Sequence, residues 1–175
     1  KSPSVMLHNF ILVLAFVATA VSATEQTIYG YLADNLCNLK TWNADGSRIP
    51  DGLALDGADM ETEPNEHTVH CMHDLDECRL SGFAINQPRP ADCTKVFPSY
   101  LLDAGGNAKA QEILANTELT DNYWVVVKGT VTGNTSFDVG TPTAIITVTS
   151  IMETQENNTF CSAASLTAAL LAFLV

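Results

Sequence analysis

Positive charge is what this chain is shortest of. Lys and Arg number 8 against 20 Asp and Glu, a formal charge of −12. All twenty acids fall within residues 24–158, and only seven basic residues accompany them there. A field of that sign repels nucleic acid and anionic lipid head groups and draws cations, so no nucleic-acid partner is expected. The chain also lacks an uninterrupted apolar run of about 20 residues, the length of a membrane-spanning helix. It has no internal repeat, no low-complexity tract and no C-x-x-C-H motif, which excludes covalent haem attachment on this chain. No set of residues stands out as a catalytic constellation.

What is present begins at the two ends. Residues 6–23, MLHNFILVLAFVATAVSA, join a short polar start to an apolar run and close on Val21-Ser22-Ala23, the small-residue exit of a secretory signal. Residues 1–23 are therefore read as a signal peptide, cleaved before Thr24. Residues 159–175 form a hydrophobic tail that carries no charge. It is too short to span and has no basic flank, so it fits a glycosylphosphatidylinositol-anchor signal attached near Asn157, with a short membrane anchor as the alternative. The expected location is the outer face of the plasma membrane or the extracellular space. Asn134 and Asn157 begin glycosylation sequons.

Residues 24–158 make one domain's length of chain. With Cys161 in the tail, Cys37, Cys71, Cys78 and Cys93 remain, and an even number in an oxidising compartment reads as two disulfides. Read as one helix, residues 65–80 separate Cys71 from Cys78 by about 10 Å of rise, too far to bond. The pairings left are 37–71 with 78–93, or 37–78 with 71–93.

Along the chain, 27–33 reads as a strand bent at Gly30, and 40–65 as a long acidic insertion punctuated by Asp-Gly turns. Residues 81–86 and 100–103 read as two short strands, with 87–92 a proline-containing connector. A helix capped by Asn107 follows, and then the β-branched runs 123–132 and 143–151, with a possible edge strand at 137–139. A single helix between the third and fourth of five strands is OB-fold connectivity. The expected class is mainly β, a small OB-like five-stranded barrel with one or two helices and a long acidic loop.

Several motifs occur in a familiar order: G-Y-L-A-D-N-L-C at 30–37, H-x-x-x-C at 67–71, C-x-x-x-G at 78–82, then V-K-G-T-V and I-T-V-T-S-I. This succession resembles a group of small secreted domains common in bacteria, over about residues 27–151. The resemblance implies the fold and the disulfide pattern; the group has no assigned activity. The acidic insertion, His70, His73 and the tail depart from it.

His67, His70 and His73 recur every third residue beside Met72, a set of imidazole and thioether groups suited to copper or zinc. The competing expectation is a polar helix face with no cofactor. The acidic stretch does not meet calcium-loop spacing and reads as a solvated insertion. Cys71 or Cys78 with His67 is the one nucleophilic pair on offer, and it lacks an evident orienting group. Trp42, Trp124, Tyr29, Tyr31 and Tyr123 suit either core packing or sugar stacking. The functional expectation is a secreted or surface-anchored acidic binding or structural module without catalysis, meeting the membrane through its tail and an extracellular protein or glycan through its surface. Extracytoplasmic copper or zinc binding through 67–78 is the alternative, and an enzyme the third.

Overall fold

The computed structural model describes residues 24–45, 47–89, 92–133 and 144–154. The expected signal peptide, the hydrophobic tail at 159–175, Asn134, Asn157 and the expected edge strand at 137–139 lie outside them. Five strands form one sheet that closes in a ring: β1 (Glu25–Asp34), β2 (Phe83–Arg89), β3 (Asp92–Leu102), β4 (Trp124–Thr132) and β5 (Ile145–Thr154). Their order is β1-β2-β3-β5-β4, with β4 returning to β1, and only β3 against β5 is parallel. Four short α-helices accompany them among the described residues: α1 (Asn35–Thr41), α2 (Val69–Asp74), α3 (Asp76–Leu80) and α4 (Ala104–Leu114). The architecture is thus mixed α/β, richer in helix than the mainly-β expectation.

The alternating β-branched runs build the ring because period-two patterning puts Val125, Val127, Ile146 and Val148 on one face. With Ile28, Leu32, Phe83 and Ile85 they form the main core. Gly30 is not a bulge: it pairs in register with Val125. Glycine is required because a Cβ there would lie 2.5 Å from the Asn86 carbonyl oxygen and 2.7 Å from Ile85 Cγ2. Trp42, Tyr31, Tyr123 and Trp124 are all buried, so these four aromatics serve packing.

Several boundaries differ from the sequence reading, among them the expected connector 87–92, of which 87–89 extend β2 and Asp92 opens β3. The third strand runs from Asp92, through Pro98, which sits opposite Asn86 beside a register shift where the missing N–H is tolerated. The fourth helix is capped four residues earlier than expected, by Asp103 Oδ1 accepting from Gly106 N at 2.8 Å. Asn107 instead accepts the Phe83 N–H, tying α4 to β2. Residues 65–80 are not one helix. A 3-10 turn at Pro64–Glu66 precedes α2, and Leu75 at ψ 113 breaks the chain between α2 and α3.

The acidic insertion is packed and not a solvated loop. Ala54, Ala58 and Met60 are buried against Trp42, Phe97 and the cysteines. Arg48 donates to the carbonyls of Thr41 and Gly52 and pairs with Asp59 at 2.9 Å. Glu61 gathers Arg48, Arg89 and Lys95 within 3.7 Å, three of the domain's seven basic residues.

Gly30→Ala is predicted to destabilise the domain by about 1–3 kcal/mol, since backbone must shift to admit the methyl group. Urea denaturation checks this; a variant as stable as the parent would show that β1 and β2 are less closely apposed.

Candidate metal centre

Three of the short helices place a cysteine at the same point, the third residue of the first turn: Cys37 in α1, Cys71 in α2 and Cys78 in α3. Two of these turns are built alike. Asp34 caps α1 by accepting the Cys37 N–H at Oδ1, 2.8 Å, and Thr68 caps α2 by accepting the Cys71 N–H at Oγ1, 3.1 Å. The break at Leu75 then folds α3 back, so Cys78 Sγ comes within 3.5 Å of Cys71 Sγ. Cys37 Sγ lies 3.7 Å from Cys71 Sγ on the other side. A carboxylate oxygen of Asp34 completes the group, all four donor atoms lying within 4.8 Å of one another and all four residues being buried.

This corrects the expected disulfide framework. Cys37, Cys71 and Cys78 are free thiols, and Cys93, disulfide-bonded itself, is bonded to none of them. Cys71 and Cys78 were expected too far apart to meet because a continuous helix was assumed. The kink at Leu75 removes that rise.

His67 sits beside the thiols and precedes α2. Its ring is 1% exposed and bridges two carboxylates, Nε2 to Asp34 Oδ2 and Nδ1 to Asp56 Oδ2, each at 2.9 Å. Burial opposes the charged ring, but the hydrogen bonds and charges of Asp34 and Asp56 outweigh it and lift the His67 pKa to about 9. The ring is therefore an imidazolium at neutral pH and donates from both nitrogens. Asp56 is half-buried, which raises its pKa, yet His67 and the Thr68 N–H and hydroxyl hold it well below the usual carboxylate range.

The expected histidine set does not converge. Met72 is buried in the main core, and His67 is enclosed between its carboxylates. His70 and His73 are on the outer side of α2, where each ring Nδ1 meets Asp74 at 2.8 Å. Nor does the Cys–His pair work as a nucleophile. Burial, helped by the Asp34 charge, pushes the Cys78 thiol up to about 12. The hydrogen bond to Cys71, then burial, raises Cys37 further. A reactive cysteine needs the opposite shift, and His67, with both nitrogens donating, has no lone pair to take a proton. What the arrangement offers is ligation, because three thiols and a carboxylate are donors a cation can replace protons on. The Leu55 N–H, 3.4 Å from Cys37 Sγ, supplies the donor that a thiolate there would accept from.

Sequence reasoning singled out the cysteines and His67 but missed Asp34 and Asp56. The D-x-x-C and T-x-x-C spacings at 34–37 and 68–71 were the available signal. No family model, curated protein or solved structure matches the chain.

The titration of this site sets a pH window for the reduced, metal-free protein. His67 binds its proton more tightly folded than unfolded, so its contribution is complete below about pH 6.5 and lost as pH rises through about 9. Asp56 works in the other sense, contributing above about pH 4 and losing that as pH falls. Urea stability is predicted to be greatest between about pH 4 and 6.5. His67→Ala should cost about 3–5 kcal/mol at pH 6 by leaving the buried Asp34 carboxylate unpaired. A pH-independent stability from 6 to 10 would contradict the assignment.

Proposed function

We propose that the chain is a secreted or surface-attached domain that holds a thiophilic metal ion, with Asp34, Cys37, Cys71 and Cys78 as ligands and no catalysis of its own. The observation that carries this reading is the triangle of sulfurs. Two sides are 3.5 and 3.7 Å and the third is within 4.8 Å, so the angle at Cys71 is less than a right angle. A tetrahedral ion with Zn–S of about 2.3 Å sets its sulfurs about 3.8 Å apart, whereas bonded sulfurs are about 2.0 Å apart. Thiol–disulfide exchange through Cys71 would want the three in line. A face of a tetrahedron suits an ion better than a bond.

The burial of all four donors supports a closed, structural centre, since a catalytic ion keeps a position open to water or substrate. Its role would be to staple the helical layer. Ala33, Ala54 and Ala58 contribute little apolar area there, at about 25 cal/mol per Å2. The underlying ring is read as OB-like. The strand order, the parallel β3–β5 pair and α4 between β3 and β4 support that reading. The signal peptide and the hydrophobic tail belong to the same proposal and put the domain outside the cell, so the bound ion would keep the thiols reduced there.

Elemental analysis of the purified secreted domain tests the proposal, together with alkylation and intact mass. One equivalent of zinc or copper is expected, with three thiols that react only after chelation and denaturation. A metal-free protein whose mass shows a disulfide among Cys37, Cys71 and Cys78 would sink it.

A further inference from the structure

Three sulfurs in a triangle can serve ions of two kinds. Zn(II) completes a tetrahedron with a fourth donor, while Cu(I) is satisfied by soft thiolates alone. What separates them at this site is Asp34. Its carboxylate is fully buried and held on both oxygens: Oδ1 accepts the Cys37 N–H at 2.8 Å and Oδ2 meets His67 Nε2 at 2.9 Å. Each oxygen has a second lone pair, so both bonds leave one for a cation. The support runs outward. Asp56 Oδ2 holds His67 Nδ1 at 2.9 Å, and the Thr68 N–H and hydroxyl hold the same oxygen at 2.7 and 2.9 Å. Asp34 has little freedom to turn away from the sulfurs.

We infer that Asp34 is the specificity-determining ligand of this centre, positioned through His67 by Asp56, and that it selects a divalent tetrahedral ion of the zinc class over monovalent copper. The inference rests on the reading that the three cysteines bind metal. Two arguments carry it. A carboxylate oxygen is a useful donor to Zn(II) and a poor one to soft Cu(I). Charge points the same way. Three thiolates and Asp34 bring four negative charges to a buried site. A divalent ion leaves one fewer of them uncompensated than a monovalent ion does, where uncompensated charge is costly. Asp56 and His67 are positioning residues in this scheme, fixing a ligand as outer-shell partners commonly do.

The experiment is a pair of competition titrations on the whole secreted domain, one with Zn(II) and one with Cu(I) under anaerobic conditions, each against a chelator of known affinity. Asp34→Asn keeps the oxygen that caps α1 and removes the charge. It should weaken Zn(II) at least about 100-fold and change Cu(I) by less than about 3-fold. Asp56→Asn leaves every ligand in place and should weaken Zn(II) about 10-fold, again sparing Cu(I). Cobalt(II)-substituted Asp34→Asn should retain charge-transfer intensity for three thiolates and lose the parent's tetrahedral ligand-field bands. If Asp34→Asn does not fold, the Zn-to-Cu ratio of Asp56→Asn decides. The inference is overturned if the parent protein prefers Cu(I), or if the variants weaken both ions by the same factor. A parent that binds neither ion instead refutes the metal reading itself.

Discussion

A buried imidazolium between two carboxylates organises the half of this molecule that lies outside the ring. Asp34 ends β1, Asp56 belongs to the acidic insertion, and His67 leads into α2. One ring thus ties three segments far apart in sequence, through two bonds of 2.9 Å. Buried ion pairs add little net stability, because the desolvation they require is close to what they return. Their effect is on uniqueness. With its partner absent, Asp34 or His67 would remain charged in a dry place, so the arrangement that brings the two together is strongly selected. The same Asp34 caps α1 and turns Cys37 toward the other sulfurs, so the position of the thiols follows from the position of the charge.

The two halves are stabilised by different means. The ring has a core of Leu, Ile, Val and Phe that buries large apolar side chains. The helical layer has alanines, cysteines, one methionine and two aromatics. It relies on directed contacts: the His67 bridge, the cations around Glu61, and the reciprocal amide pair of Asn38 and Asn86, at 2.8 and 3.2 Å. Directed contacts are less forgiving than apolar ones, since each depends on the placement of a few atoms. This explains why a chain so short of positive charge commits Arg48, Arg89 and Lys95 to a single glutamate.

The ring was legible in the sequence where patterning was strong. Residues 123–132 and 143–151 alternate β-branched residues, and there the strands fall close to where expected. Legibility failed where a tertiary contact overrides local preference. Pro98 argues against a strand until the register shift opposite Asn86 accommodates it. Leu75 carries no turn signal, being neither glycine nor proline, and the break it makes is stabilised by what it brings together: α3 packed beside α2 and Cys78 beside Cys71. The error in the cysteine pairing descends from that one residue. His67 reads as a ligand in the sequence; its actual relation to Asp34 joins positions 33 apart and leaves no periodic trace.

The acidic insertion shows how far composition can mislead about order. Its Asp-Gly turns and high charge describe a solvated segment when each residue is weighed alone. In place, its small apolar residues face inward at Ala54, Ala58 and Met60, while its acids cap turns or meet arginine. Asp56 is the residue through which this ordering reaches the thiols, because it holds His67 and His67 holds Asp34. The Leu55 N–H arrives at Cys37 Sγ from the same turn. Packing of the insertion and geometry of the sulfur triangle are therefore one constraint, and a change that loosens either reaches the other through the imidazole ring, the Leu55 N–H and the shared packing against the cysteines.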